Sequence, residues 1–154
     1  MRSNQPIRKL LIASALCLVV PARATHAQGA FTGTWTIAEW VVAPWVKTTE
    51  RAAIKPNPAI LNRALIFTSK HVVGPALLSC ETPKYQLLTS PPEGLFEGGL
   101  PSAKSDAAAL GFKGPVKTLR PSCDFDFHMK DENTVMFALD NVLYTMKRKT
   151  PAPK

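Results

Sequence analysis

The sequence predicts an all-β domain of about eight short antiparallel strands with one short helix. Three observations predict it. Apolar runs of strand length recur at spacings of roughly ten residues. Nearly all of the 14 prolines fall between those runs rather than inside them, where a residue without an N–H does not break a ladder. The breaks themselves are turn chemistry: Gly74-Pro75, Ser90-Pro91-Pro92-Glu93-Gly94, Gly114-Pro115, Lys130-Asp131-Glu132-Asn133 and Asp140-Asn141. Such a meander ends as a closed barrel or a compact sandwich, and closure has the advantage of removing exposed edges.

The amino end has a different character. Arg2, Arg8 and Lys9 precede residues 10–20, an apolar run without charge, and Pro21 ends that run. Ala22-Arg23-Ala24 and Thr25-His26-Ala27 then offer two small-x-small sites. This order is that of a secretory signal peptide. A spanning helix needs about 20 apolar residues, and the run is shorter than that. Cys17 follows Leu16 inside the run, the wrong place and neighbour for lipid attachment, so it is expected to leave with the signal. Cleavage after Ala27 makes Gln28 the first residue, and cleavage after Ala24 is the alternative. The expected product is a periplasmic or secreted protein of a bacterium, with no transmembrane segment after processing.

Removing residues 1–27 takes four of the 19 basic residues and none of the 11 acidic ones, so the net charge falls from +8 to +4. Lys147, Arg148, Lys149 and Lys154 crowd the carboxyl end, where residues 150–154 are expected to form a disordered basic tail. No basic stripe with interleaved aromatics is present, which argues against a nucleic-acid partner. Residues 28–149 are expected to form a single domain, monomeric and without a cofactor, large enough to bury its own core.

In order, Gly33-Thr34-Trp35-Thr36-Ile37 alternates as a half-buried strand should, with Trp35 and Ile37 on one face. The alternation slips at Ala38-Glu39, the mark of a bulge, before Trp40, Val41 and Val42 continue it and Pro44 ends it. Residues 47–57 form a polar connection, and Asn57-Pro58 is a cap and first turn for a short helix to Asn62. Strand runs follow at 64–68, 77–80 and 84–88, with Val72-Val73 leading into the break at Gly74-Pro75. Residues 102–110 are the best helix of the chain: Ser102 or Ser105 caps it, alanines fill it and Gly111 ends it. Four more strand runs complete the chain, at 116–119, 123–129, 134–139 and 142–147.

Gly33-x-Trp35 near the processed amino end, an up-and-down run of strands and a late short helix together resemble the lipocalin-like, or calycin, architecture. The resemblance implies that Trp35 plugs the closed end of a barrel, and Arg148, late on the last strand, is the candidate to pack over it. The pattern is also similar to small envelope barrels such as periplasmic lysozyme inhibitors. The implied role is non-catalytic binding, either of a small apolar molecule inside the barrel or of an envelope protein on its rim. An internal cavity favours the first, and a filled core with a projecting loop favours the second.

Three groups of residues are candidate sites. Cys80 and Cys123 remain as an even pair after processing, most simply one disulfide in an oxidising compartment. Its closure is worth about 4 kcal/mol of loop entropy. A redox pair would show closer spacing, and a thiolate metal site needs more ligands. In Cys123-Asp124-Phe125-Asp126-Phe127-His128-Met129, an extended chain places Asp124, Asp126 and His128 on one face. They are either a solvated face opposite a Phe-rich core face, or an acid–base or metal-dependent catalytic cluster. Same-face neighbours lie roughly 7 Å apart, so a metal would need ligands from a second strand. Trp40, Pro44 and Trp45 are the third group, either core or the mouth of a binding site with Trp40 and Trp45 as its contacts. His71 sits in an expected exposed turn. Gly94-Leu95-Phe96-Glu97-Gly98-Gly99 lacks the lysine of a phosphate loop and reads as a flexible hairpin or rim.

Overall fold

The computed structural model describes residues 29–149. The export signal expected over 1–27, Gln28 and the tail expected over 150–154 lie outside the described residues. Eight strands form one sheet: β1 Gly33–Val42, β2 Ala64–Phe67, β3 Val72–Val73, β4 Gln86–Ser90, β5 Val116–Arg120, β6 Phe127–Asp131, β7 Thr134–Leu139 and β8 Val142–Arg148. Their order is β3-β2-β1-β8-β7-β6-β5-β4, with every neighbouring pair antiparallel. The chain is thus an up-and-down meander whose last strand returns to its first, and the sheet curls into a half-barrel with β3 and β4 at its edges.

The gap between those edges is spanned by the segment that joins them. Cys80 pairs with Val72 of β3 in an isolated antiparallel bridge and is disulfide-bonded to Cys123, which follows β5. The two Cα atoms are 6.2 Å apart, inside the usual span of a disulfide. Tyr85 Oη donates to the carbonyls of Thr68 at 2.9 Å and His71 at 3.2 Å. Burial pushes this phenol up to about 12, so it remains a donor.

The bulge in β1 falls where the alternation slips. Ile37 pairs with Met146 and Glu39 with Thr145, leaving Ala38 as the extra residue. An inserted residue reverses which side chains face inward. Trp40, opposite Tyr144, therefore packs on the concave core, and Glu39 is exposed.

The concave face is filled. Phe67 and Phe127 meet edge-to-face at 4.9 Å, Phe127 and Phe137 lie 5.5 Å apart, and Phe137 stacks on Tyr144 at 5.2 Å. All four rings are buried. One end of this core is closed by Trp35, also fully buried, whose Nε1 donates to the Phe31 carbonyl at 2.8 Å. The Arg148 guanidinium lies 4.0 Å over the Trp35 ring, a cation–π contact. It also donates to the carbonyls of Ala30, Thr32 and Glu132.

The convex face of the sheet carries a second core. The connection from β4 to β5 lies over it, burying Leu95, Phe96, Leu100, Ala107 and Phe112 with Val116, Met136 and Leu143. It contains a 3₁₀ segment, Pro92–Gly98, and helix α1, Ala103–Ala109. Ser102 precedes α1, but its hydroxyl makes no cap bond. Instead Asp106 reaches back, and its Oδ2 accepts the Ser102 N–H at 2.8 Å. Gly111, at φ +85°, ends the helix. Its N–H bonds to the Ala108 carbonyl, and the Phe112 N–H bonds to that of Ala107. This is the Schellman pattern, which favours glycine at the left-handed position.

Three elements differ from the sequence expectation. Residues 58–62 form turns rather than a helix: Asn57 caps the Ala59 N–H as expected, but Asn62, left-handed at φ 62°, stops the segment after one turn. The expected strand over 77–80 is a 3₁₀ turn, Ala76–Leu78, followed by the Cys80 bridge. The expected strand over 123–129 starts only at Phe127, since Ser122 and Asp124 are left-handed at φ 64° and 58°. Among the described residues, no helix is long and apolar enough to cross a membrane.

Candidate functional site

At the end of the sheet away from Trp35 and Arg148, a cleft of about 180 Å³ opens on the outer surface. Trp45, Phe96, Phe125 and Ala138 supply its apolar lining, and Glu97, Asp124 and Asp126 supply carboxylates.

Trp45 stands in the turn that ends β1, where the Val46 N–H bonds back to the Ala43 carbonyl. Arg51 holds this turn from below, donating to the carbonyls of Val42, Ala43 and Val46 at 3.1–3.4 Å. The indole Nε1 donates to Asn141 Oδ1 at 3.0 Å. Asn141 belongs to the tight β7–β8 turn, whose two residues, Asp140 and Asn141, are both left-handed, as a two-residue hairpin requires. The indole also lies over Gly99, where a Cβ would come within 3.2 Å of the ring. It is therefore fixed at its nitrogen by one loop and at its far edge by another.

Phe96 and Glu97 are consecutive non-glycine residues at φ 50° and 58°. Such backbone costs of order 1–3 kcal/mol per residue and persists only where its surroundings hold it. The holder is His128 on β6, fully buried on the convex face. Its Nε2 accepts the Phe96 N–H at 3.0 Å, and the Phe96 ring stands edge-on to the imidazole at 4.7 Å. A nitrogen that accepts an N–H carries no proton, so the neutral ring bears its hydrogen on Nδ1. That nitrogen lies 2.9 Å from Thr118 Oγ1 on β5 and donates to it. Burial depresses the imidazole from 6.5 to about 4; Asp126 opposes this shift and Arg120 adds to it.

Asp126 binds Arg120 through both oxygens, accepting from Nε at 2.8 Å and from Nη2 at 2.5 Å. The Asp126 side chain is only 7% exposed, and that of Arg120 is 47% exposed. The carboxylate raises the guanidinium pKa further above its ordinary value. Glu97 and Asp124 are exposed and form no salt bridge among the described residues. Phe125 joins the cleft to the concave core, 6.3 Å from Phe137.

The sequence candidates are thus distributed over three places. Trp45, Asp124 and Asp126 share the cleft. His128 stands behind Phe96 with both ring nitrogens occupied, and Trp40 lies on the concave face. Cys80 and Cys123 form the disulfide beside Asp124. His71 is exposed in its turn. Phe96 and Glu97 were missed as site residues, and the only local sign of them is an apolar–acidic pair set among Gly94, Gly98 and Gly99. Among the described residues, no group of three or more His, Cys, Asp or Glu side chains is placed to hold a metal ion. The cleft sets aromatic side chains beside two exposed carboxylates and one paired one. In comparison with known proteins, no family model, curated protein or solved structure matches the chain.

Proposed function

We propose that the protein is exported, loses residues 1–27 and acts in the periplasm as a small lipocalin-like, non-catalytic binding protein. Its partner is another envelope protein, held on the outer surface rather than inside the sheet. The observation that carries this reading is the filled concave face. The contiguous rings of Phe67, Phe127, Phe137 and Tyr144 occupy the space a lumenal ligand would take, while the cleft beside Trp45 opens outward. The lipocalin-like part of the reading is supported by Arg148 over Trp35, the pairing that the resemblance implies.

Native mass spectrometry of the protein recovered from its own periplasm tests the reading. The expected result is a chain beginning at Gln28, lighter by about 2 Da for the disulfide, travelling with a second polypeptide. A small apolar molecule released from the protein would overturn binding at the outer surface, a full-length chain beginning at Met1 would overturn removal of residues 1–27, and absence of the chain from the periplasmic fraction would overturn export.

A further inference from the structure

We infer that the cleft beside Trp45 binds a cationic group, a guanidinium or an ammonium. Resting on the reading above, that group is an arginine or lysine side chain of the partner protein.

Three features of the cleft point to a cation. Trp45, Phe96 and Phe125 line it, and aromatic side chains attract cations, Trp most strongly. Its carboxylates outnumber its cations: one guanidinium, Arg120, binds Asp126 and is within the field of Glu97, while neither Glu97 nor Asp124 forms a salt bridge among the described residues. This local excess of negative charge sits on a chain in which, without residues 1–27, basic residues still outnumber acidic ones, 15 to 11, so it is not a sample of the average surface. The same protein also shows the chemistry at its opposite end, where Arg148 lies 4.0 Å over Trp35.

Size narrows the choice of ligand. The cleft measures about 180 Å³, against roughly 300–1,000 Å³ for pockets that enclose a drug-sized ligand. It suits one long side chain reaching in from a surface. The walls are also set in advance: the Trp45 indole is held by Asn141, and Phe96 is held by His128. Little ordering remains to be done on binding, which favours affinity.

The test uses N-acetyl-arginine amide and N-acetyl-lysine amide as probes, with N-acetyl-citrulline amide as the uncharged counterpart of arginine. The readout is the ¹H–¹⁵N signal of the Trp45 indole, followed in the oxidised full-length mature protein. Both cationic probes are expected to move that signal saturably, with citrulline weaker by about tenfold or more. The double variant Glu97→Gln/Asp124→Asn changes two exposed side chains and leaves Phe96, His128 and the Arg120–Asp126 pair in place. It should weaken the cationic probes by about tenfold and leave citrulline unchanged. Equal binding of citrulline and arginine, or no saturable shift with any probe, would overturn the cation site. If a partner still co-purifies in that case, the envelope-binding reading survives on its own. If the cationic probes bind but the co-purified partner holds the double variant as tightly as the parent protein, the cation is a free amine and the assignment to a partner side chain falls.

Discussion

His128 shows how one buried imidazole can hold a surface in shape. It accepts the backbone N–H of Phe96 and donates to Thr118, and the first of these bonds needs the neutral ring. Its folded-state pKa, about 4, lies below the ordinary 6.5, so the unfolded chain binds the proton more readily. Stability from this group is therefore complete above about pH 6.5 and is lost as the pH falls toward 4, by about 3 kcal/mol in all. Urea unfolding of the parent and of His128→Gln across this window should show a pH slope in the parent that the variant lacks. Parallel slopes would mean that His128 is not the titrating group. At neutral pH, His128→Phe strands the Phe96 N–H and the Thr118 hydroxyl, and should cost about 2 kcal/mol or more. The indole signal of Trp45, whose ring lies 6.2 Å from that of Phe96, should move with it. At the carboxyl end, Arg148→Lys keeps the charge but loses the planar stack on Trp35 and the fork that serves three carbonyls. A loss of about 1–2 kcal/mol is expected in thermal unfolding.

Among the elements, β1 and α1 were legible for local reasons. The slip at Ala38-Glu39 marked the bulge because an extra residue disturbs a period of two wherever it falls. Deleting Ala38 should then restore plain alternation in the same register against β8, with Ile37 and Trp40 inward and Glu39 outward. The expected outcome is a folded chain whose backbone NMR signals stay dispersed and change only around β1. Gly111 announced the end of α1 because its left-handed position is a property of the residue itself. Gly111→Ala should cost about 1 kcal/mol by the strain of φ +85° alone, read as a lower unfolding midpoint. β6 was not legible at its start. Residues 123–129 alternate perfectly, yet two left-handed residues hold the chain away from the sheet until Phe127. One constraint on this stretch is distant in sequence, with Cys123 bonded to Cys80, 43 residues away, and the other is near, with Asp126 held by Arg120. The site followed the same division. Trp45, Asp124 and Asp126 stood out by residue type, but their meeting depends on the β7–β8 turn, on Arg51 and on His128. Phe96 and Glu97 take their shape from a histidine 32 positions later, which no local pattern announces.

For the molecule as a whole, the weak line of the sheet is the gap between β3 and β4. β3 is two residues long, and the segment from Cys80 to Tyr85 carries the join. The disulfide closes a loop worth about 4 kcal/mol and also ties one edge to the strand beyond the other. Cys80→Ser with Cys123→Ser should lower stability by roughly that amount. Faster amide exchange should concentrate in β2, β3 and β4, with β7 and β8 little changed. Exchange rising evenly over the sheet would show that the disulfide acts on the unfolded chain alone.

The pairing of β1 with β8 sets an order of events for the chain. Gly33 to Val42 find their partners only when residues 142 to 148 are present, and Trp35 is covered only when Arg148 arrives. A polypeptide delivered amino end first, through a ribosome tunnel or a secretion pore, must therefore wait until residue 148 is out before its first strand is sealed on both sides. Contacts of such long sequence separation slow folding. If the chain is exported unfolded, as proposed above, that delay works as a timer, since the step that completes the sheet then takes place on the far side.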